Sequence, residues 1–203
     1  MNRKARPQIG LSPKCEEMTK HVEIYKIKVT LRSSQPNIWR RMQVKSDTTL
    51  AKFHRILQCV MGWKDAHLHE FMIQGQRYGV PSEDHLHSCE TKDERKCQLC
   101  EIVEATNGQF VYHYDFGDDW HHTLEIEKTL PPEESVHYPV CIGGDCACPP
   151  EDVGGILGYE NFLEALEDPK HPEHDELLEW VGGAFDPEAF DVNKVARLLH
   201  AMR

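Results

Sequence analysis

The chain has 203 residues, 39% hydrophobic and 28% charged, with a net charge of −11 and 8 Cys. This is ordinary globular composition, enough for one sizeable core, and no apolar run approaches the roughly 18 residues of a membrane helix. The opening MNRKARPQIGLSPK is basic but lacks the apolar stretch of a secretory signal, so the chain is expected in the cytoplasm, its Cys serving as thiols or metal ligands rather than disulfides.

Pro7, Gly10 and Pro13 break any helix in that opening, so residues 1–20 read as a flexible basic tail ahead of a single domain, 21–203. VEIYKIKVTL (Val22–Leu31) alternates: Tyr25, Ile27, Val29 and Leu31 share one face, Lys26 and Lys28 the other. That is the period of a half-buried strand. NIWRRMQV (Asn37–Val44) reads as its neighbour. SDTTLAKFHRILQCVMGW then shows helix grammar: Asp47 or Thr48 to cap, Leu50, Phe53, Leu57, Val60 and Met61 at helical spacing, Gly62 to stop, and His54 and Arg55 on the polar side.

HLHEFMIQGQRYG (His67–Gly79) reads as a strand, a tight turn and a second strand, with His67, His69, Phe71 and Ile73 on one face. Residues 81–98 are polar and read as a surface loop, and CEIV opens a short helix or strand. Phe110 to Lys128 is an aromatic hairpin. If Gly117–Asp119 is its loop, Phe116 faces Trp120, Tyr114 faces His122 and Asp115 faces His121. Leu130–Gly155 is rich in Pro, Gly and Cys and is expected as a structured loop, within which Pro149–Asp152 reads as a turn. The remainder, 156–203, is helical: a stripe of Tyr159, Phe162, Leu163 and Leu166, then a helix after Pro172 burying Leu177 and its neighbours, then Val195, Leu198, Leu199 and Met202 on one face. Strands over 21–129 followed by helices give an α+β domain, mainly an antiparallel sheet with helices on one face.

The blocks IYKIKVTL…PNIWRRMQV, LHEFMIQGQRYG, YDFGDDWHHTLEIEK, PVCIGGDCACPPEDVGGILGYENFLEAL and WVGGAFDPEAFD, in that order, resemble the Ri-plasmid ORF-3-like family over about residues 22–200. The resemblance implies an α+β fold and, for some members, an association with mobile elements; it implies no reaction and no catalytic residue. Cys141 and Cys148 fit the family pattern, whereas Cys146 and the stretch HLHSCETKDERKCQLC are less typical of it.

Two constellations carry chemistry. Cys97-x-x-Cys100 can grip one tetrahedral Zn²⁺, with Cys141 and Cys148 completing the set and Cys146 or Cys89 as substitutes beside His85 and His87. Such a closed site would be structural, and buried thiols without metal are the plain alternative; a redox role lacks the β–α context. The second constellation is YHYDFGDDWHH, whose Asp115, Asp118 and His121 are the candidate catalytic groups, while Asp119 reads as a turn residue and His122 as a core histidine. Residues 1–62 hold 13 Lys+Arg against 4 Asp+Glu, or +9, and residues 63–203 hold 10 against 30, or −20. The basic third could meet a protein or nucleic-acid partner, or simply complement the acidic remainder inside one fold. Together these favour a non-enzymatic binding or accessory module with a zinc staple, over a metal-dependent hydrolase using the hairpin's Asp and His.

Overall fold

The computed structural model describes residues 22–81 and 91–202. Its strands are β1 (Ile24–Leu31), β2 (Trp39–Lys45), β3 (His69–Ile73), β4 (Gln76–Gly79), β5 (Lys92–Asp93), β6 (Gln109–Tyr114), β7 (Trp120–Leu130) and β8 (Val140–Asp145). Its α-helices are α1 (Leu50–Met61), α2 (Leu99–Thr106), α3 (Gly155–Glu167), α4 (His174–Trp180) and α5 (Val192–Ala201). One sheet runs β5-β4-β3-β6-β7-β1-β2-β8, antiparallel except where the two-residue β5 joins β4. The α+β expectation holds. No described helix is long and apolar enough to cross a membrane. The proposed tail, with Cys89, His85 and His87, lies outside the described residues.

Alternation builds the sheet. Tyr25, Ile27, Val29 and Leu31 of β1 are buried, while Lys26, Lys28 and Thr30 between them are half-exposed. β7 repeats this with Trp120, His122 and Leu124 inward and His121 and Thr123 outward. One face is therefore core and the other meets water, which fixes register, because a slip of one residue would turn every apolar side chain outward. α1 covers the core face: Phe53 stacks on Phe71 and reaches Phe110. Burying each such side chain contributes about 1.5–3 kcal/mol.

Several local details differ from the sequence reading. Thr49, not Asp47 or Thr48, caps α1 by accepting from the Lys52 N–H, while Gly62 ends the helix in the left-handed conformation as expected. His54 is buried, not on a polar side, because α1 lies across the aromatic hairpin and buries its Gln58–His54 edge as well. The Leu130–Gly155 stretch contains a strand, β8, paired with β2. Its glycines hid it: a Cβ on Gly144 would stand 2.6 Å from Phe190 and 2.8 Å from Arg40, so the strand needs a residue without one. α4 buries none of its residues, and α5 buries Val195 and Leu199 but leaves Leu198 exposed, as is Met202 just past its end.

The hairpin register also differs. Tyr114 pairs with Trp120, His113 with His121, Tyr112 with His122 and Phe110 with Leu124. The loop is Asp115–Asp119, closed by the Asp119 N–H on the Asp115 carbonyl at 2.7 Å. Asp115 and Asp119 take φ of +57° and +60°, a region Asp tolerates better than most side chains. The Asp115 Oδ1 accepts from the Gly117 and Asp118 N–H groups, at 2.9 and 3.3 Å, a local turn closed by a side chain. The displacement is two residues, so every side chain within the ladder keeps its face; Phe116, now in the loop, is 49% exposed.

Candidate metal centre

The hairpin gathers His and carboxylate groups in three places. The first is the rim, where its loop meets the segment before β3 and the turn before α3. The His67 Nε2 faces the Asp152 Oδ1 at 3.2 Å and the Asp115 Oδ2 and Glu151 Oε2 at 3.6 Å each. This ring nitrogen is itself buried yet makes no hydrogen bond. The carboxylates are held in advance. The Lys64 N–H donates to the Glu151 Oε1 at 2.8 Å. The Tyr114 hydroxyl, which accepts from the Ala66 N–H, donates to both Glu151 oxygens at 3.1 and 3.2 Å. Burial, reinforced by Glu151, pushes the Tyr114 phenol well above its ordinary value, so it stays a donor. The Trp63 Nε1–H donates to the Pro149 carbonyl, and the Asp118 carboxylate accepts from the Gly154 N–H, fixing the turn from both sides. Asp115 and Glu151 are nearly buried, His67 partly, and the Asp152 side chain is 72% exposed, so the group opens to water on one side.

The second place is the outer face of the sheet. The His113 and His121 rings stack with centroids 4.1 Å apart and planes 11° from parallel. Their Nε2 atoms lie 2.8 and 3.1 Å from the Asp119 Oδ1. The His113 Nδ1 sits 3.6 Å from the Glu70 Oε1, and the other Glu70 oxygen is 3.6 Å from the Arg77 Nε. Burial, then the neighbouring His121, hold His113 below the ordinary imidazole value.

The third place is inside the core. The Gln58 side-chain NH₂ donates to the Tyr112 hydroxyl at 2.9 Å, that hydroxyl donates to the His54 Nδ1 at 2.8 Å, and the His54 Nε2–H donates to the Asp65 Oδ1 at 2.7 Å. The Asp65 carboxylate can only accept, which puts the neutral ring's proton on Nε2 and leaves Nδ1 to accept from the hydroxyl. The His54 ring stacks on His69, whose Nε2 pairs with the Glu94 carboxylate at 2.8 Å. Tyr112 is fully buried. A hydroxyl that no substrate reaches is no nucleophile, and with each link satisfied this chain is a polar strut through the core.

The candidates named from sequence are thus separated. Asp115 belongs to the rim, His121 to the outer face, and Asp118 pins the turn before α3. Asp115 does not face His121, because Asp115 lies in the loop and His113 takes that pairing. The rim partners His67, Glu151 and Asp152 come from segments that read as a strand face and a plain turn; only three-dimensional proximity joins them.

The thiols are placed differently. Cys97 precedes α2, where its carbonyl accepts from the Leu50 N–H, and Cys100 lies in that helix's first turn. Cys141 faces Met42 from β8, and Cys146 follows that strand. Among the described residues no three of Cys97, Cys100, Cys141, Cys146 and Cys148 bring sulfur within 4.8 Å of one another; the groups that do converge are imidazole and carboxylate. Burial raises the Cys141, Cys146 and Cys148 thiols, with Arg40 opposing it. Surroundings of this kind favour the thiol over the thiolate.

The chain resembles an uncharacterized protein, y4hQ, of Sinorhizobium fredii, at 40% identity over 162 residues, 79% of this chain and 82% of that one. It also resembles the crystal structure of a protein of unknown function, MM3350, from Methanosarcina mazei Go1, at 37% identity and a TM-score of 0.77, covering 85% of this chain and 97% of that chain. The family model for plasmid pRiA4b ORF-3-like proteins matches residues 23–194. With the match spanning every strand and the first four α-helices, the chain belongs to the plasmid pRiA4b ORF-3-like protein family.

Proposed function

We propose that the protein is a binding module organised around one divalent cation held at the rim by His67, Asp115, Glu151 and Asp152. The observation that carries this reading is the buried His67 Nε2, which makes no hydrogen bond although three carboxylate oxygens surround it. One imidazole with three carboxylates is a hard, oxygen-rich donor set, suited to Mn²⁺ or Ca²⁺ and accessible to Zn²⁺. Three carboxylates crowded without a cation repel one another, and a bound ion offsets this. The partner of such a module would be a protein or nucleic acid. The association of some family members with mobile elements and the +9 balance of residues 1–62 motivate that pairing.

The test is calorimetric titration of chelator-treated protein with Mn²⁺, Ca²⁺ and Zn²⁺. One equivalent of Mn²⁺ or Ca²⁺ should bind at the rim, and Asp115→Asn and His67→Ala should each weaken it at least about tenfold. Unchanged binding in both variants overturns the reading. Cys97→Ser, run alongside, should leave the stoichiometry intact; loss of one zinc there would favour the thiol site instead. A pull-down and a mobility-shift assay at low salt test for the partner.

A metal-dependent hydrolase is the second reading, favoured by the exposure of Asp152. A cation open to solvent on that side could hold and acidify a water molecule. Hydrolysis of phosphate esters or peptides that requires added metal and disappears in His67→Ala would establish it.

A further inference from the structure

The outer-face cluster is separate from the rim and uses none of its ligands. The His113 Nε2 lies 2.8 Å from the Asp119 Oδ1, yet it is buried and makes no hydrogen bond. His121 brings a second Nε2 to within 3.1 Å of the same oxygen. The three donor atoms all lie within 4.8 Å of one another.

We propose that His113, His121 and Asp119 form a second, nitrogen-rich metal site that takes a borderline divalent ion such as Zn²⁺, Co²⁺ or Ni²⁺. Two imidazoles and one carboxylate leave coordination positions open to solvent and suit late first-row ions better than Ca²⁺ or Mg²⁺. Glu70 is the positioning residue. Its carboxylate stands 3.6 Å from the His113 Nδ1, near enough to orient the ring that presents Nε2, and Arg77 lies 3.6 Å from its other oxygen. A carboxylate behind a metal-bound imidazole does this in many sites. The site is rooted on two paired strands, β6 and β7, where His113 and His121 are direct partners. Asp119 takes its left-handed φ of +60° at the loop's end, which swings its carboxylate back over both rings.

The experiment is titration of the chelator-treated full chain with Co²⁺, read by visible d–d absorption, followed by displacement with Zn²⁺. An intense band should develop in the native protein and in His67→Ala, showing that it does not come from the rim. It should be lost in His121→Ala and in Asp119→Asn; Asn keeps the left-handed conformation, so the loop survives. Glu70→Gln should keep the band but weaken Co²⁺ binding about 10–100-fold. A merely structural glutamate would leave that affinity unchanged. Circular dichroism confirms that each variant is folded. His121 is partly exposed, so its alanine variant decides the matter even if another fails to fold. The proposal is overturned if His121→Ala keeps the band, if the native protein never develops one, or if His67→Ala alone removes it.

Discussion

His122 shows how one buried residue can govern a whole stability profile. Its Nδ1–H donates weakly to the Tyr112 carbonyl at 3.3 Å, and the rest of the ring lies against Trp63 and Tyr112. Burial pushes its pKa down to about 3, against about 6.5 in an unfolded chain. Above pH 6.5 the imidazole is neutral in both states and contributes nothing to pH dependence. Between about pH 6.5 and 3 the unfolded chain takes up a proton that the folded one refuses, so stability falls by about 1.4 kcal/mol per pH unit. His54 and His113 are shifted in the same direction and add to the trend. Going from pH 7 to pH 5, His122→Leu should lose about 2 kcal/mol less than the native protein; equal losses in urea unfolding would show that this imidazole is not the acid-sensitive group. Arg40 is the other decisive residue. Its Nε–H donates to the Val60 carbonyl near the end of α1, its Nη1 to the Trp39 and Asp145 carbonyls, and its guanidinium lies over Phe190. Arg40→Met would leave those carbonyls unsatisfied and should cost about 2–4 kcal/mol, and Arg40→Lys should not rescue it, because an ammonium lacks the planar fork.

At the scale of elements, the union of the hairpin loop with α3 sets the rim. Gly155 opens α3 at φ +70°, and a Cβ there would stand 2.6 Å from the Asp118 carbonyl oxygen. Gly155→Ala therefore meets backbone strain and a clash with backbone at once. It should lower stability by about 1–3 kcal/mol and, by shifting the turn that carries Glu151 and Asp152, weaken rim cation binding more than the outer-face site; equal effects on both would mean general loosening. The alternating strands β1, β3, β6 and β7 and the amphipathic α1 were legible in the sequence, because their apolar periods are long and unbroken. The hairpin's faces were legible for the same reason, since a two-residue displacement preserves them. Its loop length was not: which Asp takes a left-handed φ depends on side-chain hydrogen bonds from Asp115 that no period encodes. β8 was masked by glycines that make room for Phe190 and Arg40. The rim was illegible as a site because its ligands lie far apart in sequence, and Glu151-Asp152 is, locally, a turn.

At the scale of the molecule, part of the charge asymmetry is met inside the fold, among the described residues. Lys26 and Arg41, from the basic third, both reach Glu127 on β7, at 3.3 and 2.7 Å. Arg41 first, then Lys26, hold that carboxylate below its usual range. Arg32 donates to Thr123, and Arg40 is buried. These partly exposed pairs contribute roughly 0–1 kcal/mol each, so they complement the acidic body without dominating stability. Acidic groups are concentrated at the rim, where three carboxylates meet one imidazole. A cation bound there joins the loop, the segment before β3 and the turn before α3, three pieces that must separate on unfolding. Binding to the folded state alone adds about 2.7 kcal/mol at a cation concentration 100 times the Kd. For a domain of this size that raises Tm by about 5–10 °C. Differential scanning calorimetry of chelated and Mn²⁺-loaded protein should show this rise in the native chain and its loss in Asp115→Asn. The rise should persist in His121→Ala, whose missing imidazole belongs to the other face of the sheet. A rise abolished by His121→Ala but kept in Asp115→Asn would transfer the stabilising cation from the rim to the outer face.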